Sequence, residues 1–167
     1  MSYAEHKREA NDRVACAVVT VSDTRTQATD KSGAMIKDSL AADGHSVCHY
    51  EIVPDEASAI RSAIERAVAR PECDAVLLTG GTGIAPRDGT PEVVAAMLDK
   101  RLDGFGELFR MLSYQEIGSG GMLSRAVAGI AGQKLIFSIP GSTNAVNLAM
   151  TKLILPELSH LVYELRK

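Results

Sequence analysis

The feature that most constrains this chain is an apolar run that breaks into glycines and restarts as a helix. It spans Val76 to Pro91 and reads Val-Leu-Leu-Thr-Gly-Gly-Thr-Gly-Ile-Ala-Pro-Arg-Asp-Gly-Thr-Pro. Its opening residues have the length and composition of a buried strand. Gly80, Gly81 and Gly83 then let the backbone turn sharply and let another group come close. Arg87 and Asp88 set a cation beside an anion. Thr90-Pro91-Glu92 predicts a helix start, with Thr90 as N-cap, Pro91 at the first helical position and Glu92 near the positive end. A strand, a turn rich in free N–H groups and a helix start together make an anion site. The alternative is a tight structural turn that holds no ligand. Two familiar phosphate motifs do not fit. No lysine lies between Asp74 and Asp99, so there is no P-loop, and Pro86 stands where the dinucleotide fingerprint needs its third glycine.

The rest of the chain alternates in the same way. Val14 to Val21 is a continuous apolar, β-branched run, the mark of a central parallel strand. Asp30 predicts a cap for a helix running through Asp43, with Met35, Ile36 and Leu40 inward and Gly44 ending it. His45 to Val53 predicts a second strand and Ser58 to Ala69 a second helix, closed by Pro71. Past the glycine stretch, the patterns predict helices over Pro91 to Leu98 and Gly104 to Leu112, then a flexible break at Gly118 to Gly121. Ser124 to Gly129 is too short and mixed to assign. Lys134 to Ile139 predicts another buried strand, and Asn144 to Leu155 and Glu157 to Leu165 predict the last helices. Strands alternating with helices predict an α/β fold, a three-layer sandwich with a mostly parallel central sheet. Residues 1–12 read as a loose polar lead-in and 13–167 as one domain.

Ligands of such sheets bind beyond the carboxyl ends of the strands. Each polar or glycine-rich cluster here follows a predicted strand: Ser22-Asp23, Asp55, Gly80 to Gly83, and Pro140-Gly141-Ser142. The topology therefore gathers them on one edge. Backbone amides of the glycine loop suit a phosphate. The hydroxyls of Ser22, Thr82, Ser124 and Ser142 suit a polar heterocycle or phosphate oxygens. Carboxylates beside a phosphate call for a cation, and magnesium held by one or two carboxylates plus substrate phosphates is the usual solution. His6, His45, His49 and His160 fall outside the clusters, so a general-base histidine is not expected. A formal net charge of −3 and the absence of Trp argue against nucleic acid and anionic membrane. No apolar run approaches the length of a transmembrane helix, and Met1 to Arg13 lacks an apolar signal core. Cys16, Cys48 and Cys73 are odd in number and widely spaced, which predicts a reducing cytoplasm, a buried Cys16 and no zinc site.

Several ordered motifs then resemble one family. Thr79-Gly-Gly-Thr-Gly83, Arg87-Asp-Gly-Thr-Pro-Glu92, Ser124-Arg-Ala-Val-Ala-Gly129 and Pro140-Gly-Ser-Thr-Asn-Ala-Val146 are similar to the MogA/MoaB family of molybdenum cofactor biosynthesis. Val21-Ser-Asp23, Asp30-Lys-Ser-Gly33 and Val53-Pro-Asp-Glu56 match as well, and Phe105 to Ser113 with Glu116-Ile-Gly118 looks closer to the MoaB branch. The resemblance implies a molybdopterin-binding-domain-like fold and a magnesium-dependent transfer of AMP from ATP to molybdopterin. It implies Asp55 and Asp88 as catalytic acids, with Asp55 also toward the metal. It places Ser22, with its neighbour Asp23, and Asp30 on the nucleotide side. Gly80, Gly81, Thr82, Gly83, Ser124, Pro140, Gly141 and Ser142 fall to the pterin and phosphate pocket. Threefold assembly, as trimers or hexamers, is implied too. One departure is Ser138, which stands where some adenylylating relatives carry Asn. The alternative is a molybdopterin-binding protein of the same pathway without adenylyl transfer.

Structural readings stand beside these roles. Asp55 can cap the helix that follows it, and Asp30 can cap its own helix while also meeting a ligand. Asp88 can pair with Arg87 or close a turn. Ser124 and Ser142 can be ordinary loop residues. The Phe105 to Leu112 stripe suits core or a subunit interface.

Overall fold

The structure is a computed structural model that describes residues 2–9 and 12–167, leaving the side chains of His6, Arg8 and Glu9 outside the description. The strands are β1 (Ala15–Val21), β2 (Ser46–Val53), β3 (Ala75–Thr79), β4 (Lys100–Arg101), β5 (Val127–Ala131) and β6 (Lys134–Ile139). The helices are α1 (Tyr3–Glu9), α2 (Lys31–Ala42), α3 (Ala57–Val68), α4 (Thr90–Met97), α5 (Asp103–Ile117), α6 (Thr143–Ala149) and α7 (Leu155–Leu165). The strands form one six-stranded sheet in the order β2-β1-β3-β6-β5-β4. β2, β1, β3 and β6 run parallel, while β5 and β4 join antiparallel at one edge. The sandwich with a mostly parallel sheet is therefore as expected.

Side-chain alternation divides the core into two layers. In β3, Ala75 and Leu77 pack on one face with Ile36 and Leu40 of α2, Phe109 of α5, Val146 of α6 and Leu158 of α7. Val76 and Leu78 pack on the other face with Ile60 and Ile64 of α3 and Val94 of α4. Val18, Leu77 and Phe137 lie side by side across three strands and are buried, which fixes the register of the sheet's centre. Cys16 is fully buried, and burial pushes its thiol well above the usual range.

Several local expectations change. The lead-in contains α1, whose Tyr3 and Lys7 both reach Glu157 of α7. Met1, Ala10 and Asn11 of that lead-in lie outside the described residues. The expected flexible break at Gly118 to Gly121 is a 3-10 helix, Gly118–Leu123, because α5 runs on to Ile117 and passes directly into it. β4 and β5 form in segments with too few β-branched residues to show as strands. β5 is paired to β6 through a turn at Gly132-Gln133, both with positive φ, and β4 pairs in turn on β5. α6 and α7 are joined without a break through a π turn, Met150–Ile154, and Pro156 follows directly after that turn.

Candidate functional site

The four parallel strands deliver their following loops to one end of the sheet, and adjacent loops are tied together there. Ser22 N–H donates to Val53 O at 2.9 Å, which joins the ends of β1 and β2. Gly80 N–H donates to Ile139 O at 3.1 Å and the Thr79 hydroxyl to Pro140 O at 3.0 Å, which joins the ends of β3 and β6. Gly80 has φ +101°, and a Cβ there would collide with Val21 O. A Cβ on Gly141 would come to 3.2 Å from Gly80 Cα. The glycine loop and the Pro140-Gly141 turn are thus packed backbone to backbone, which accounts for glycine on both sides.

The loop is shaped from within and from behind. Gly81 has φ +66°, and a Cβ there would press on Thr90 Oγ1 and lie 2.7 Å from Asp55 Oδ2. A Cβ on Gly83 would lie 2.5 Å from Asp88 Oδ2. Asp88 Oδ2 accepts from Ala85 N–H at 3.1 Å, and Asp88 N–H donates to Ala85 O at 3.0 Å, so Asp88 closes the turn. From behind, Arg125 donates through Nε to Thr82 O at 3.0 Å and through Nη2 to Gly83 O at 2.5 Å and Asp88 O at 3.2 Å, while Nη1 meets Glu92. Sequence reasoning quoted Arg125 inside a motif but gave it no role. Its signal was only a lone cation amid small apolar residues.

The carboxylates gather on the β1–β2 side. Asp55 is nearly buried, its N–H donates to Asp23 Oδ1 at 3.0 Å, and its Oδ1 accepts weakly from Gly89 N–H at 3.4 Å. Burial raises the Asp55 carboxyl, and the negative charges of Asp88 and Asp23 raise it further against the pull of Gly89 N–H and Arg87. Asp55 does not cap α3: Glu56 holds the N-cap position and makes no side-chain cap bond. Asp23 takes a bidentate pair from Arg87, at 2.5 and 2.9 Å, and this cation draws its carboxyl down to about 2. Arg87 therefore pairs with Asp23, not with its neighbour Asp88. Among the described residues no group of three metal-ligating side chains converges. The donor set fits a magnesium ion held by one carboxylate and completed by substrate phosphates, since Asp55 carries like-charge crowding that a cation relieves.

On the β3–β6 side lies a cleft of about 210 Å³ walled by α5, the 3-10 turn and the start of α6. Thr82, Gly83, Ser124, Pro140 and Ser142 all line it. Ser124 Oγ is buried without a partner among the described residues, an orphan that a ligand's polar edge would satisfy. Ser142 Oγ accepts from Ala145 N–H at 3.2 Å as the N-cap of α6, which leaves its proton free to donate. Ser22 Oγ accepts from Arg25 N–H at 3.0 Å and shapes the loop after β1. Arg25 reaches across to Gly141 O at 3.0 Å, and Ser32 donates to the same oxygen at 2.6 Å.

Two expected roles look different in place. Asp30 is an N-cap, accepting from Gly33 N–H at 2.9 Å, and its buried carboxylate also takes the hydroxyls of Thr20 and Tyr50. Burial alone would raise it, but those three donors and Arg25 hold it below its usual range. It braces the loop after β1 from beneath. Thr90 is not the N-cap of α4; Gly89 is, and Thr90 Oγ1 is buried and unpartnered among the described residues. The described histidine side chains lie away from this edge: His45 accepts from Val14 N–H at the opposite strand ends, His49 is bonded to Glu51 and Arg70, and His160 is on α7.

Comparison with known proteins places the chain in a family. A family described as "probable molybdopterin binding domain" matches residues 17–160. The chain is 53% identical over 168 residues to molybdenum cofactor biosynthesis protein B of Bacillus cereus, covering 100% of this chain and 99% of that one. It is 54% identical to the protein of the same name from Bacillus subtilis, with the same coverage. Among solved structures, a molybdenum cofactor biosynthesis protein B superposes with a TM-score of 0.91 at 54% identity, over 93% of this chain and 97% of that one. The tungsten cofactor synthesizing protein MoaB from Pyrococcus furiosus superposes with a TM-score of 0.84 at 38% identity, over 93% and 99%. From the family match over most of its length and the likeness of sequence and fold to these relatives, the chain belongs to the molybdopterin-binding-domain family of the MoaB and MogA proteins.

Proposed function

We propose that this chain acts in molybdenum cofactor biosynthesis and transfers AMP from ATP to molybdopterin. The observation that carries the reading is a juxtaposition. One glycine loop has a mainly apolar cleft with an orphan hydroxyl on one side and a crowded carboxylate set on the other. The names of the relatives support the pathway.

In this reading the cleft holds the pterin. Ser124 Oγ and the Ser142 hydroxyl meet its polar edge, and the amides of the glycine loop take its phosphate. ATP lies toward the ends of β1 and β2, over Ser22 and the loop that Asp30 braces. A pterin phosphate oxygen attacks the α-phosphorus, the bond from that phosphorus to the bridging oxygen breaks, and pyrophosphate leaves. Magnesium, when bound, screens the two anions and aligns them in line. Asp55 would hold that cation through its carboxylate. Asp88 keeps the loop closed, so that its contribution is to position the phosphate. No helix of the described residues is long and apolar enough to cross a membrane, and the three free cysteines suit a reducing cytoplasm.

A second reading, binding without adenylyl transfer, is supported by Ser138. Its hydroxyl is fully buried on the α3–α4 face and unpartnered among the described residues, so it offers a nucleotide no hydrogen bond. The test mixes protein, molybdopterin, ATP and magnesium and looks by mass spectrometry for adenylylated molybdopterin. Product supports the enzyme. Tight pterin binding with no product overturns it in favour of the second reading.

A further inference from the structure

A trans peptide holds each C=O and the following N–H on opposite sides of a plane. Whatever grips a carbonyl therefore aims the next amide the other way. Arg125 grips Thr82 O and Gly83 O, which turns the N–H groups of Gly83 and Ile84 away from it. Thr90 N–H grips Gly81 O at 3.1 Å, which turns the Thr82 N–H away from the start of α4. These three successive N–H groups, like that of Gly81 just before them, have no partner among the described residues, whereas Gly80 ahead of the row and Ala85 and Asp88 after it spend theirs inside the protein. Two of the free amides belong to residues that line the cleft, Thr82 and Gly83.

The guanidinium brings little net charge, because Glu92 pairs with Nη1. What it brings is a planar fork with several donors in fixed directions, which a lysine ammonium cannot reproduce. The carbonyls it binds come from both ends of the loop, Thr82 and Gly83 before Pro86 and Asp88 after it. The Asp88 carboxylate also bridges the loop, but it takes the Ala85 N–H and grips no carbonyl.

We infer that Arg125 is a positioning residue that aims the amide row of the glycine loop, and that recognition of the ligand's phosphate depends on its fork and not on its charge. The inference rests on the reading that this site takes the phosphate of molybdopterin. The experiment is calorimetry with molybdopterin and with its dephosphorylated form, on wild type, Arg125→Lys and Glu92→Gln, each checked by its melting curve. Wild type is expected to prefer the phosphorylated form. Arg125→Lys is expected to lose roughly tenfold or more of affinity for that form, and to change less than about threefold for the dephosphorylated one. Glu92→Gln, which keeps all three carbonyl bonds, is expected to retain the preference. If Arg125→Lys keeps the preference, or weakens both ligands equally, the positioning role is wrong while the site reading stands. An equal loss in Glu92→Gln also overturns it, since the ion pair would then be what matters. A wild type that binds neither form overturns the site reading itself. Should Arg125→Lys fail to fold, wild type still decides: molybdopterin is expected to shift the amide resonances of Thr82, Gly83 and Ile84 together and to leave Ala85 and Asp88 in place, and unshifted Gly83 and Ile84 amides refute the inference.

Discussion

Gly81→Ala separates two demands that the loop makes on one residue. The first is conformational. At φ +66° an alanine sits in the left-handed region, at a cost of roughly 1–2 kcal/mol. The second is spatial. The new Cβ would press on Thr90 Oγ1 and come to 2.7 Å from Asp55 Oδ2, and neither belongs to a long flexible side chain that can swing clear. Relieving such overpacking costs typically 1–3 kcal/mol, so the variant loses about 2–5 kcal/mol in all. In a domain of this size each kcal/mol lowers Tm by roughly 2–4 °C, which puts the drop on the order of 4–20 °C. Gly44 supplies the control. It has φ +84° and nothing within 4 Å of a new Cβ, so Gly44→Ala carries only the conformational part. Melting curves of the two variants by circular dichroism measure the difference. Adding Thr90→Ala to Gly81→Ala is expected to recover part of it, because the lost hydroxyl had no partner among the described residues. Molybdopterin affinity of Gly81→Ala should fall as well. If Gly81→Ala melts with Gly44→Ala, or binds pterin as wild type does, the crowding against Asp55 and Thr90 is not what keeps glycine at this position.

Asp55→Asn is expected to lower adenylyl transfer at least a hundredfold, near 3 kcal/mol at ~1.4 kcal/mol per decade, with pterin affinity within a few fold; product formed at the wild-type rate would refute the assignment. In metal-free buffer the same variant is expected to melt higher than wild type at pH 7. The raised carboxyl costs the fold nothing below its unfolded value of about 3.9, and its full penalty is reached above the folded value, so the gap between the two proteins must close as pH falls. Asp30→Ala removes an N-cap and strands the Thr20 and Tyr50 hydroxyls, for a loss of about 2–4 kcal/mol. Because Asp30 is held below its usual range, its contribution is present above about pH 3.9 and fades as pH drops through the folded value; a denaturant midpoint indifferent to pH in that window would count against it. A threefold oligomer is expected in solution, consistent with Leu108, Met111, Tyr114 and Ile117 exposed along α5; light scattering that returns a monomer at micromolar concentration overturns it.

What could be read from the residues alone was whatever local pattern dictates. Val14 to Val21, Val76 to Thr79 and Lys134 to Ile139 are apolar enough to be central strands in any context, and they are. Asp30 reads as a cap because capping needs only the next three residues, and Gly33 N–H is the partner found. β5 was illegible because Val127-Ala-Gly-Ile-Ala131 has little strand propensity of its own; its order comes from β6, laid beside it by a two-residue turn. The site divides likewise. Residues next to strand ends could be gathered on one edge by topology alone. Arg125 and Arg25 could not be placed there, because each acts through long side-chain reach onto backbone carbonyls of a distant loop, at Thr82 and Gly141. The Asp55 cap reading failed for the converse reason: a carboxylate before a helix looks like a cap until the fold brings Gly89 within its reach.

The bonds from Gly80 N–H to Ile139 O and from the Thr79 hydroxyl to Pro140 O also set an order of events. β3 and β6 are neighbours in the sheet, yet the chain between them must first leave, build α4, α5 and the β4–β5 edge, and return. Pairing across so long an excursion carries a large loop-closure entropy and belongs to the slow part of folding. Until β6 arrives, the glycine loop lacks its floor and the cleft lacks Pro140 and Ser142. A chain emerging during synthesis is therefore expected to hold β1, β2 and β3 well before it can hold a ligand. Binding competence then comes as a late, all-at-once consequence of closing the sheet.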